Sequence, residues 1–190
     1  MSRIVLPGEP LLDGLTALRP WRDADFAALV AACQDPEISR WTRVPSPYCE
    51  TDARAYLMAR DGALRAGTSA PFAVVATNDP LLVLGSVSLI RIAWQHARGE
   101  VGYWLARAAR GQGHATRAVR LICNWGFEAL GLERIDLLAA TPNAASQRVA
   151  ERAGFTREAV LRSYMIGRDG RQDMVAFGLL RAEPGGPFER

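Results

Sequence analysis

Arg110-Gly111-Gln112-Gly113-His114-Ala115 separates a strand-like run, Glu100–Leu105, from the best helix pattern in the chain, Gly113–Leu130. The two glycines let the backbone turn tightly, with several N–H groups pointing into one concavity. The helix that follows adds its unpaired first-turn N–H groups and the positive end of its dipole at the same place. Such a loop is an anion site suited to a pyrophosphate. Arg107, Arg110 and Arg117 bring positive charge close by. A dinucleotide loop of the GxGxxG type would need glycine where Thr116 stands and an acidic residue at the end of the next strand, which is absent. A Walker loop would need a lysine, and the sequence has none. The plainer alternative is a glycine-rich turn that only starts a helix.

Working outward, Ala115, Ala118, Val119, Ile122 and Ala129 give the Gly113–Leu130 helix one apolar face, and Gly131 stops it. Downstream, Arg134–Ala140 reads as a strand, Asn143–Ala153 as a helix ended by Gly154, and Phe155–Met165 and Asp173–Arg181 as strands joined by a hairpin loop at Gly167–Gly170. Upstream lie three strand candidates, Pro71–Thr77, Leu82–Ile92 and Glu100–Leu105. They are preceded by a strand at Leu15–Arg19, a helix after Asp23, a loop from Asp35-Pro36 past Ser46-Pro47, and a helix from Thr51. This order predicts an α/β fold. Its mixed sheet has about seven strands, antiparallel hairpins, a central βαβ unit and helices on both faces. One domain spans residues 15–181, with loose ends at 1–14 and 182–190.

Composition narrows the function classes. All 23 basic residues are arginines, which removes Schiff-base lysine chemistry. A net charge of +3 with no long basic run gives no argument for a nucleic-acid partner. Cys33, Cys49 and Cys123 form no CxxC pair and read as small buried hydrophobes in a reducing cytosol, without a metal site. No apolar stretch has signal-peptide or membrane-spanning length, so a cytoplasmic protein is expected.

The loop resembles the acyl-CoA loop of the GNAT acetyltransferase superfamily, Gln/Arg-x-x-Gly-x-Gly/Ala, with Arg110, Gly113 and Ala115 at the defining positions. The order of elements from about Leu15 to Arg181 also matches that fold. The run Glu100-Val101-Gly102-Tyr103-Trp104-Leu105, and Asn143-x-x-Ser146 followed by Gly154-Phe155-x-x-Glu158, look like the RimJ/RimL-type branch, which includes enzymes that acetylate ribosomal-protein N-termini. The resemblance implies acetyl-CoA as cosubstrate. Backbone around Leu105, Ala106 and Arg107 would pair with the pantetheine arm in a splay between Glu100–Leu105 and Arg134–Ala140. The amides of Gly111, Gln112, Gly113, His114, Ala115 and Thr116 would take the pyrophosphate, and Asn143 would touch pantetheine.

Attack by an amine on a thioester requires a base, an acid for the departing thiolate and a donor for the oxyanion. Glu100 is the first candidate base: on a strand it shares a face with Gly102 and Trp104, and Gly102 leaves room beside it. Glu158 is its rival. Ser146 lies on the inward stripe of the Asn143–Ala153 helix and is the candidate acid, because many GNAT enzymes carry a tyrosine where this chain has Ala150. Asn143 caps that helix. Leu105 N–H is the candidate oxyanion donor. His114 reads as structural and His96 as solvated. Some enzymes of the branch carry a glutamate where Met165 stands, so their mechanism is not transferred whole.

The acceptor, a peptide N-terminus or a small amine, would enter between Pro36–Tyr48 and the 167–172 hairpin, past Trp41, Tyr48 and Tyr164. A catalytically silent acyl-CoA-binding module would show the same loop; only Glu100 and Ser146 favour catalysis. A nucleotide-dependent oxidoreductase is disfavoured by Thr116. The sequence leaves the oligomeric state open, a homodimer included.

Overall fold

The computed structural model describes residues 3–168 and 170–181, so the proposed tail at 182–190 lies outside the described residues. In chain order the strands are β1 (Leu11–Asp13), β2 (Thr16–Pro20), β3 (Ala70–Ala76), β4 (Asp79–Ala93), β5 (Arg98–Leu105), β6 (Arg134–Ala140), β7 (Thr156–Gly167) and β8 (Gly170–Leu180). The helices are α1 (Phe26–Ala32), α2 (Pro36–Trp41), α3 (Glu50–Ala66), α4 (His114–Ala129) and α5 (Ala144–Arg152). All the strands form one sheet in the order β1-β2-β3-β4-β5-β6-β8-β7. Among the described residues only β5 and β6 run parallel, joined through α4 as the central βαβ unit.

Each face of the sheet carries its own core. Ala118, Val119 and Ile122 of α4 and Ala150 of α5 pack with Leu89, Val101, Ile135 and Leu137 on one side. Leu29 of α1 and Ala53 and Leu57 of α3 pack with Ala17, Ala73 and Val75 on the other. Gly126 brings α4 close to the sheet, since a Cβ there would lie 2.8 Å from Leu89 Cδ1. This side-chain-free approach explains a glycine within a long helix, where it otherwise costs about 1 kcal/mol.

Three features differ from the sequence reading. Leu11–Asp13 is an eighth strand rather than part of a loose end: it pairs with β2, Leu11 packs on the core and Asp13 holds Arg117. Pro36–Trp41 is helical rather than loop. Asp35-Pro36 ends α1 but also starts α2, because Asp35 Oδ1 accepts Glu37 N–H at 3.0 Å and Pro36 sits at the first helical position. Cys49 is exposed, not buried, since it stands at the N-cap of α3 with its thiol on Asp52.

Candidate active site

The parallel pairing that joins β5 to β6 stops early. Arg98, Gly99 and Glu100 pair with Arg134, Ile135 and Asp136, and beyond that register the two strands splay apart. Ala106 N–H donates to Leu84 O at 2.8 Å, so the even-numbered residues of β5 turn their backbone groups toward β4. By that alternation Tyr103 and Leu105 present theirs to the splay. The Ala106 amide is therefore engaged within the sheet, whereas the Leu105 N–H faces the gap. Leu105 O, left without a partner on β6, accepts Arg110 Nε at 3.1 Å and Nη2 at 2.9 Å.

Past the splay, Arg107–Ala109 form a short 3-10 turn that leads into the glycine loop. Gly113 has φ +84° and caps α4, and nothing lies within 4 Å of where its Cβ would be. Glycine is needed for the left-handed backbone, and the space before it is open. The first bond inside α4 runs from Arg117 N to Gly113 O, so the amides of His114, Ala115 and Thr116 have no helical acceptor. Gly111 (φ +77°) and Gln112 are exposed in front of them, and Gln112 Nε2 anchors the loop on Ala108 O. The donor set, the dipole and the open concavity fit a diphosphate.

The loop's side chains differ from its backbone in availability. Besides holding Leu105 O, the Arg110 guanidinium lies 2.8 Å from Asp35 Oδ2, and Arg117 Nη1 lies 2.7 Å from Asp13 Oδ1. Neither is a free charge. Arg107 is exposed and has no side-chain partner among the described residues. His114 is buried, with Nδ1 2.8 Å from Thr16 Oγ1. Burial and the nearby Arg117 hold its pKa below the usual range, so it ties α4 to β2 as a neutral ring.

On the α4–α5 side of the splay, Asn143 Oδ1 caps α5 by accepting Ser146 N–H at 3.1 Å. Tyr103 Oη reaches across from β5 and donates to Ser146 Oγ at 3.0 Å. Burial pushes the tyrosine up to about 12, so it stays protonated and its serine partner keeps its own proton free to donate. Sequence reasoning missed Tyr103. Its place on the Val101/Tyr103/Leu105 face of β5 was the available signal.

The opposite face of β5 carries Glu100, which opens into a cleft of about 720 Å³ walled by β5, β6, β7 and β8. Glu100 is half-buried and bonded through Oε2 to Arg91 Nη1. Arg91, at a bulge in β4 with φ +50°, is aimed across at it by that irregularity. Glu100 and Ser146 thus stand on opposite faces of β5, flanking the splay. Glu158 lies elsewhere: it is clasped by Arg134 across Gly178, where a Cβ would come within 2.5 Å of its Oε1. That clasp holds its carboxyl below the usual range against the opposing effect of burial.

Of the aromatic residues expected along the acceptor path, only Tyr164 lines the cleft. Tyr48 is buried in the α1–α3 core beside Cys33, so it is packing rather than pocket wall. Trp41 closes α2 with its indole N–H on Glu37 Oε2 at 3.0 Å and its ring under Arg40, outside the cleft. Among the described residues no group of three or more His, Cys, Asp or Glu could hold a metal, and no helix is long and apolar enough to cross a membrane.

Known proteins resemble this chain in sequence and in fold. YdaF of Bacillus subtilis, whose name assigns it only provisionally as a ribosomal N-acetyltransferase, is 34% identical over 52% of this chain and 54% of its own length. The chain therefore spans about half the length of that relative. The uncharacterized N-acetyltransferase p20 of Bacillus licheniformis is 26% identical over 94% of this chain and 99% of its own. Among solved structures, RimL, a ribosomal L7/L12 alpha-N-protein acetyltransferase in complex with coenzyme A, superposes with a TM-score of 0.82. It is 17% identical over 90% of this chain and 98% of its own, a likeness of fold. Residues 16–156 match the model of the acetyltransferase (GNAT) domain, and the chain belongs to that family.

Proposed function

We propose that this protein transfers an acetyl group from acetyl-CoA to a primary amine, foremost the α-amino group of a peptide, in the cytoplasm. The observation that carries the reading is the splay itself: β5 leaves β6 at Glu100, with unpaired helix amides at its far end and a candidate acid and base on its two faces. Acetyl-CoA supplies a thioester carbonyl already activated for attack.

The amides of residues 111–116 would hold the pyrophosphate, and Arg107, free of ionic partners among the described residues, would add charge beside it. Leu105 N–H, turned into the splay, is the donor placed for the carbonyl oxygen as negative charge develops. Glu100 receives the proton lost by the amine, directly or through a water. Ser146, its hydroxyl oriented by Tyr103, donates a hydrogen bond to the departing sulfur, which leaves as the thiolate and takes its proton from solvent. The α-amino group, with pKa near 8, is far more easily deprotonated at neutral pH than an alkylamine above about 10. That chemistry favours peptides over polyamines, in line with the names of YdaF and RimL.

Thiol release should be followed with acetyl-CoA and short peptides of varied first residue, alongside amino acids, polyamines and aminoglycosides. Turnover of at least one peptide is expected. Turnover only with small amines would remove the peptide preference and leave the transferase reading. Silence across the panel with tight acetyl-CoA binding would leave a binding module. Sedimentation of the same preparation would decide between a monomer and the homodimer.

A further inference from the structure

The charge of the acceptor cleft does not match a cationic substrate. Its walls carry four arginines, Arg43, Arg91, Arg98 and Arg171, against two carboxylates, Glu100 and Asp136. Arg91 pairs with Glu100, and Arg98 Nε lies 3.6 Å from Asp136 Oδ2. Arg43 and Arg171 remain without a carboxylate among the described residues. Abundant surface arginine is ordinary in a chain without lysine, so position decides the matter. Arg43 comes from the segment after α2 and Arg171 from the start of β8, on two separate walls.

Those two walls are fastened to each other. Arg168, at the tip of the β7–β8 hairpin, donates from Nε to Ser39 O at 2.9 Å and from Nη2 to Val44 O at 3.3 Å. Within the hairpin, a bulge at Ser163 (φ +52°) is held by Asp173 Oδ1, which accepts Ser163 N–H at 2.7 Å, and by Arg171 Nη1, which donates to Ser163 O at 2.7 Å. The same bulge turns Tyr164 to the cleft. Among the described residues Arg171 makes this one backbone bond, which leaves most of its donors available. Tyr164 and Ile166 are 53% and 74% exposed, so the cleft opens to solvent and admits a chain end rather than enclosing a metabolite.

We infer that the acceptor is a peptide N-terminus followed closely by acidic residues, whose carboxylates meet Arg43 and Arg171 while the α-amino group lies at Glu100. This rests on the transferase reading above and narrows its substrate class. Polycations face like charge in the same cleft, which costs affinity where opposite charge would add it. A guanidinium fork suits a carboxylate in two-point contact.

The test uses tripeptide amides with one first residue, Ser, and second and third residues both Glu, both Ala or both Arg. Turnover and equilibrium binding to the CoA-loaded protein are measured for each, with O-phosphoethanolamine as a small anionic amine. Two solvent-edged charge pairs at the upper end of their usual range amount to about thirtyfold in kcat/KM. The expected order is Glu over Ala over Arg, flattening in high salt. In an R43Q/R171Q double variant the Glu-to-Ala ratio should fall toward one, with acetyl-CoA affinity reporting that the fold survives. Equal rates for the three peptides, or a ratio unmoved by the double variant, would overturn acidic recognition and leave the transferase reading. O-phosphoethanolamine turned over without any peptide would overturn the peptide claim. Tight binding of the Glu peptide without turnover would overturn the transferase reading while upholding the recognition of acidic residues by the cleft.

Discussion

Tyr103 Oη and Ser146 Oγ meet at 3.0 Å, a hydrogen bond that ties β5 to α5 beside the splay. The strand supplies a phenol at the side of the serine, whereas the position on α5 where many family members carry tyrosine holds Ala150, fully buried. Because Tyr103 donates, Ser146 is an acceptor from the phenol and a donor toward the splay. If that polarity serves the leaving sulfur, removing either hydroxyl weakens one device rather than two. Ser146→Ala should lower kcat by about 10²–10⁴-fold. Tyr103→Phe, losing an orienting bond, should lower it by about three- to tenfold. The double variant should be little worse than Ser146→Ala alone, as for residues acting as a unit. Additive losses in single-turnover rates would separate the two roles.

Gly113 joins a left-handed backbone to open space before the α4 amides. Gly113→Val forces a β-branched residue to φ +84° and puts methyl groups where a phosphate would approach. The left-handed penalty alone is about 1–2 kcal/mol. Acetyl-CoA affinity measured by calorimetry should fall by at least about tenfold with the helix content retained. Unchanged affinity in a folded variant would remove the loop from the binding site.

Much of this was legible in the sequence, and the exceptions have physical reasons. The loop, α4, the central βαβ unit and the helices on both faces follow from glycine placement and apolar periodicity, which local chemistry writes directly. Leu11–Asp13 escaped because a three-residue strand has no period to read; its place depends on Arg117, a hundred residues away, holding Asp13. Asp35-Pro36 reads equally as stop and start, and only the cap bond to Glu37 tells which follows. Tyr48 carries the composition of a pocket wall, yet packs beside Cys33 in a core that local pattern does not reveal. Arg110 was visible as charge, but not its engagement by Leu105 O and Asp35.

Glu100 and Glu158 separate the two carboxylates proposed as the base. Glu100 opens on the cleft, whereas Glu158 is clasped by Arg134, which keeps it ionised and weakly basic. Glu100→Gln should depress turnover most at the acid end of the pH profile, where the amine is most protonated and most needs a base. Glu158→Gln should leave the profile's shape in place and lower stability by less than about 1 kcal/mol, as for an exposed ion pair. A flat Glu100→Gln profile at wild-type rates, with Glu158→Gln impaired, would exchange the assignments.

Arg19 and Asp25 form a buried ion pair, 2% and 5% exposed, far along the sheet from the splay. Arg19 Nη1 and Nη2 lie 2.7 and 2.8 Å from the two Asp25 oxygens, and Nε and Nη2 also donate to Pro80 O. Burial by itself raises the Asp25 pKa; the hydrogen bonds from Arg19 and from Arg22 N–H outweigh it, and the net shift is downward. A carboxyl whose folded pKa is depressed stabilises the fold above its unfolded value, near 3.9, and that contribution disappears as pH falls toward the folded value. Asp25→Asn keeps the shape but leaves a buried guanidinium without its counter-charge. A loss of about 3–5 kcal/mol at pH 7 is expected in urea unfolding. Below about pH 4 the wild type should lose stability more steeply than the variant, and the two curves should converge. Parallel acid slopes would mean that Asp25 titrates normally and that the pair adds nothing to acid stability. A double replacement of Arg19 and Asp25 by apolar residues of similar volume should recover most of the loss, because the cost lies in the stranded charge rather than in the missing pair.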